Sequence, residues 1–102
     1  MHISDCVQGL LAIMASKYQK PINLGTEEAV TIDRLAEIIC VISGKRIKFC
    51  HVPGPQGVRG RNSDNTLLYK VLGWAPQKKL EFGLQDTYWW INEQVQKEKR
   101  SL

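Results

Sequence analysis

A chain of 102 residues is one domain, or a piece of one, with room for only a modest core. Its 43% apolar and 24% charged residues are ordinary for a globular protein, and no apolar run reaches the length of a membrane span. The net charge of +4 admits an anionic partner without demanding one, and the N-terminus lacks the basic-then-apolar pattern of a secretory signal.

Residues 1–3 read as a short apolar start, the end of a strand. Ser4 or Asp5 can cap a first helix, since each offers an oxygen to an orphan backbone N–H. Beyond it Cys6, Val7, Leu10, Leu11 and Met14 repeat at helical spacing, up to about Ser16. Residues 22–24 read as a short strand closed by Gly25. Thr31 is the next N-cap, and Leu35, Ile38, Ile39 and Ile42 form an apolar stripe that Gly44 ends in a left-handed turn. Residues 47–52 read as a second strand, with Ile47, Phe49 and His51 on one face. Residues 53–63 form a loop holding two prolines and three glycines. Asp64 caps a third helix carrying Leu67, Leu68, Val71 and Leu72, which Gly73 stops, and Trp74-Ala75-Pro76 makes a turn. A last helix begins near Leu80 with Leu84, Tyr88, Ile91 and Val95 on one face, and Lys79 offers it no good side-chain cap. Strand, helix, strand predicts a helix-rich α/β fold: a small βαβ unit with parallel strands and about four helices.

Four groups of residues are candidates for chemistry. Gly54, Gly57 and Gly60 have a spacing that can cradle a dinucleotide pyrophosphate. That motif must run straight from a strand into a helix N-terminus, and here Pro53, Pro55, Arg59 and Arg61 interrupt it, so it is rejected. Arg59-Gly60-Arg61 places two guanidiniums one residue apart in a loop, where they can converge on a diphosphate through forked hydrogen bonds; the alternative is two solvated arginines. His2, Cys6, Cys40, Cys50 and His51 are metal-ligand types without paired spacing, so no metal site is expected. The odd cysteine count suggests free, mostly buried thiols in a reducing compartment, and a cytoplasmic location is expected. Tyr88, Trp89 and Trp90 are consecutive on a helix and cannot all face one core, so one of the tryptophans is expected to meet a partner or another domain. Lys97, Lys99 and Arg100 read as a solvated helix end, and the basic residues are not interleaved with aromatics, which argues against nucleic acid.

Taken together, these patterns resemble a known family. His2-Ile3-Ser4-Asp5-Cys6-Val7, Ile22-Asn23-Leu24-Gly25, Val30-Thr31-Ile32 with Leu35-Ala36-Glu37-Ile38, and Pro53-Gly54-Pro55 occur in order. Gly57-Val58-Arg59-Gly60-Arg61-Asn62-Ser63-Asp64-Asn65, the most specific stretch, follows. Leu72-Gly73-Trp74-Ala75-Pro76 and Leu80-Glu81-Phe82-Gly83-Leu84, running into Thr87-Tyr88-Trp89-Trp90-Ile91, complete the set. The ordered set is similar to the C-terminal substrate-binding region of the extended short-chain dehydrogenase/reductases, the nucleotide-sugar epimerases and dehydratases.

The resemblance implies that Arg61 helps hold a nucleotide diphosphate, with Arg59 as helper and Asn62 in the same substrate-binding group, while Asp64 is a helix cap and not a catalyst. The implied ligand is a nucleotide-diphosphate sugar, with GDP-sugars favoured. It also implies a substrate domain over residues 1–97 and a basic tail over 98–102. The family's NAD belongs to an N-terminal Rossmann domain that has no counterpart here. The family's Tyr-x-x-x-Lys pair is missing too: four residues beyond Tyr18, Tyr69 and Tyr88 stand Ile22, Gly73 and Asn92. The family's sugar-facing acid–base cysteine and lysine are assigned to that same absent part, so no catalytic residue and no cofactor ligand is expected in this chain. Met1 stands where a parent chain would be in mid-sequence, so the expectation is a substrate-binding fragment of an NAD-dependent epimerase or dehydratase, inactive alone. Its partners would be the missing Rossmann domain or a second copy meeting on the same docking surface. The alternative is a stand-alone interaction or nucleotide-diphosphate-binding module that pairs with a separate Rossmann chain.

Overall fold

The computed structural model describes residues 1–101, so Leu102, the last residue of the expected tail, lies outside the described residues. The elements are four helices: α1 (Ile3–Ala15), α2 (Ile32–Ser43), α3 (Thr66–Leu72) and α4 (Leu80–Ser101). The described residues contain no β-strand, and the expected βαβ unit is therefore incorrect. Residues 22–24 and 47–52 carry the apolar composition of strands, but a strand exists only through a ladder of hydrogen bonds to a neighbour. Among the described residues, the long-range backbone hydrogen bond outside the helices runs from Ser63 N–H to the Thr26 carbonyl at 2.8 Å, and it involves neither segment.

The chain forms two compact units. The first comprises Met1–Ala29 and Gln56–Leu80, with α1 and α3. The cap of α1 is His2 and not Ser4 or Asp5: its Nδ1 accepts the Ser4 N–H at 3.1 Å. Asp5 turns inward instead, 7% exposed, and its Oδ2 accepts the backbone N–H groups of Gln77 at 3.1 Å and Lys78 at 2.8 Å. The buried face of α1 is thus its small and polar one, Asp5 and Gly9. Gly9 is needed for close approach, since a Cβ there would lie 2.6 Å from Leu24 Cδ1 and 3.0 Å from Trp74 Cζ3. The apolar stripe of α1 faces out: Val7, Leu10, Leu11 and Met14 are exposed, Met14 by 80%. In α3, Leu68 is fully buried, and the helix stops at Gly73, whose φ of 64° suits a residue without Cβ. The Asp64 carboxylate accepts from the Thr66 hydroxyl at 2.6 Å and the Thr66 N–H at 3.0 Å, serving the first turn from just outside the helix.

The second unit comprises Val30–Pro55 with the chain from Glu81 onward. Thr31 caps α2 as expected, its hydroxyl accepting the Arg34 N–H at 3.0 Å, and Gly44 ends it with φ 68°. Ile38 is the buried residue of the apolar stripe. Arg34 reaches Glu37 and Glu81, each at 3.5 Å, but both pairs are exposed and contribute little. On α4 the tail residues Lys97, Lys99 and Arg100 are helical and exposed.

Candidate functional site

The arginine loop lies between the two prolines and α3. Its glycines Gly54, Gly57 and Gly60 have no positive φ and stand in open space, and the next helix begins only at Thr66. The geometry of a dinucleotide-binding turn, strand directly into helix, is therefore not formed. Arg59 and Arg61 are exposed, and neither guanidinium has a hydrogen-bond or ion-pair partner among the described residues. The chain bends at Arg59, so the segment that carries the two arginines is not a straight strand.

The C-terminal end of this loop is held tightly. Asn62 Nδ2 donates to the Glu27 carbonyl at 3.3 Å. Ser63 N–H donates to the Thr26 carbonyl at 2.8 Å. Asn65, 6% exposed, donates its Nδ2 to the Gly25 carbonyl at 2.8 Å and its backbone N–H to Glu27 Oε1 at 3.1 Å. The Ser63 hydroxyl completes the set by donating to Asn65 Oδ1 at 2.8 Å. The turn at residues 26–28 is itself braced by the Glu28 N–H on Thr26 Oγ1 at 3.2 Å, and Glu28 Oε2 accepts the Leu80 N–H at 3.1 Å. A side chain at position 25 would not fit this junction, because its Cβ would come within 2.8 Å of Ser63 Cβ.

Sequence reading finds the arginines and Asn62 but not Gly25, Glu27, Glu28 or Asn65. Glu27 and Glu28 look like solvated charges, and their partners lie 38 and 52 residues away. The faint local signal was the Thr-Glu-Glu turn, whose hydroxyl can hold its own backbone two residues on.

The remaining candidates are dispersed. His2 is a helix cap. His51 Nε2 meets Asp33 at 2.9 Å on the exposed side of the second unit. No group of three or more His, Cys, Asp or Glu side chains converges among the described residues. Cys6 and Cys40 are half-buried and Cys50 is exposed, so the thiols are less buried than their composition suggested. Trp89 and Trp90 are both exposed, Trp90 by 62%, and Trp89 makes an edge-on contact with Tyr88 at 5.3 Å.

No family model matches the chain. Individual relatives do. GDP-mannose 3,5-epimerase 1 of Oryza sativa subsp. indica is 50% identical over 97 residues, which is 95% of this chain and 26% of that protein. GDP-mannose 3,5-epimerase of Arabidopsis thaliana is 46% identical over 97 residues, with the same coverage of both chains. UDP-glucuronic acid decarboxylase 1 of Danio rerio is 31% identical over 96 residues, 93% of this chain and 23% of that protein. This chain is homologous to the C-terminal quarter of the GDP-mannose 3,5-epimerase-like extended short-chain dehydrogenase/reductases. It spans about a quarter of the length of the curated relatives it matches. The epimerase match leaves 102 − 97 = 5 residues outside, so it includes the arginine loop and its anchor wherever it begins. It corresponds to the substrate domain of those enzymes, and the described residues, having no strand, contain no Rossmann fold. Among the described residues, no helix is long and apolar enough to cross a membrane.

Proposed function

We propose that this chain is the part of a nucleotide-sugar epimerase that grips the substrate's diphosphate. Arg61 supplies the main contact, Arg59 assists, and Asn62 lies in the same group. The observation that carries this reading is a pair of exposed guanidiniums without partners among the described residues, on a loop whose far end is tied down. A guanidinium already engaged by a carboxylate would have to be released first; these are available. Charge-assisted contacts of this kind contribute about 1.5–3 kcal/mol each. The names of the relatives favour a GDP-sugar as the ligand.

In this reading the chain is catalytically silent alone. NAD and the isomerase chemistry belong to a Rossmann domain, and the working assembly is cytoplasmic. The outward apolar stripe of α1 supports docking of that domain, or self-association on the same surface. The same stripe also favours a second reading, a stand-alone module that pairs with a separate Rossmann chain.

The test is calorimetric titration of GDP-mannose into the chain and into Arg61→Ala. Binding that weakens at least about tenfold in the variant supports the diphosphate grip. Equal binding by both proteins, or none by either, counts against it.

A further inference from the structure

We propose that Glu27 and Asn65 are positioning residues for the arginine loop: they fix its C-terminal end so that Arg61 meets a nucleoside diphosphate already oriented. The inference rests on the diphosphate reading of Arg61 and extends it to residues that touch no ligand.

Three observations support it. The junction joins the chain at 25–27 to the chain at 62–65 by backbone and side-chain hydrogen bonds at once. Asn65 is buried, and both ends of its amide are used, Nδ2 toward the Gly25 carbonyl and Oδ1 from the Ser63 hydroxyl. Gly25 leaves no room for a side chain, so the two segments are in close contact and not merely near. Residues 53–62, by contrast, have no backbone–backbone hydrogen bond among the described residues. Among the described residues the arginine loop thus has no backbone ladder of its own, and it is fixed from Asn62 onward, just beyond Arg61. Pre-fixing a binding loop removes part of the ordering entropy that association would otherwise cost.

The charge of Glu27 makes the idea decidable. A carboxylate near an anion site opposes anion binding, so electrostatics alone predicts that removing it strengthens binding. Positioning predicts the reverse, because Glu27 Oε1 holds the Asn65 N–H. Glutamine keeps an acceptor oxygen without the charge.

The experiment titrates GDP into wild type, Arg61→Ala, Glu27→Ala, Glu27→Gln and Asn65→Ala, each first shown to be folded by its helical circular dichroism. With binding lost in Arg61→Ala, the expected result is about tenfold weaker binding for Glu27→Ala and Asn65→Ala, and an affinity within about twofold of wild type for Glu27→Gln. Unchanged or tighter binding by Glu27→Ala overturns the positioning role and leaves the Arg61 reading intact. Equal loss in Glu27→Gln and Glu27→Ala also overturns it, since the acceptor would then not be the operative feature. Wild type and Arg61→Ala binding alike, or neither binding, would remove the diphosphate reading itself and the positioning role with it. Should Asn65→Ala fail to fold, the two Glu27 variants decide the question alone.

Discussion

Replacing Asp5 by alanine should cost the first unit more stability than any surface change of similar size. Asp5 is buried on α1, and its Oδ2 accepts two backbone donors from the turn that precedes α4, Gln77 and Lys78. Hydrogen bonds to an ionised group contribute roughly 1.5–3 kcal/mol each, and a donor left without a partner loses about 1–3 kcal/mol. Gln77 is itself exposed, so water can satisfy part of what Asp5→Ala removes. The expected loss is then about 2–3 kcal/mol in total. For a domain of this size that lowers the Tm by roughly 10–20 °C. Asp5→Asn keeps an acceptor oxygen at the same place and should lose about half as much. Thermal unfolding followed by circular dichroism measures both. An Asp5→Ala variant within about 0.5 kcal/mol of wild type, the range of an ordinary surface substitution, would refute the assignment of Asp5 as the tie between α1 and residues 77–78.

Other consequences follow from single contacts. Hydrogen bonds from the Thr66 hydroxyl and N–H hold the Asp64 carboxyl below the usual aspartate range. Its support of α3 is therefore complete above the ordinary aspartate pKa and is lost as pH falls through the depressed value; an acid titration of helicity should lose that limb in Asp64→Asn. Thr31→Ala removes the hydroxyl that accepts the Arg34 N–H and should destabilise the second unit by about 1 kcal/mol in denaturant unfolding, with Thr31→Ser close to wild type. Leu11→Lys with Met14→Lys, on the outward stripe of α1, should leave the Tm unchanged while reducing any concentration-dependent association seen by light scattering; a large fall in Tm would show that the stripe is internal after all.

Much of the helix pattern was legible because helices are local. The Thr31 cap, the stops at Gly44 and Gly73 and the apolar periodicity of residues 35–42 depend only on neighbours within a few positions. The absence of strands among the described residues was not legible, because residues 22–24 and 47–52 have strand-like composition and only a missing ladder tells them from strands. The facing of α1 was not legible for another reason. Periodicity locates an apolar stripe but not what lies against it, and Gly9 draws the opposite face onto Leu24 and Trp74. In the candidate site, Arg59 and Arg61 declare themselves by residue type, whereas the anchor is built from pairs 35 to 40 residues apart. No local pattern marks a glutamate or an asparagine as part of such a junction.

In the proposed function a nucleoside diphosphate meets this chain at Arg61. The most direct measurement is the NMR response of the arginine side-chain Nε–H resonances, and of the backbone amides, to added GDP. Saturable shifts are expected at Arg61 and Arg59, with smaller ones at Asn62 and Ser63, while Lys45, Arg46 and the Lys97–Arg100 end of α4 stay unmoved. Shifts concentrated on those other basic residues, or none at the loop, would contradict it.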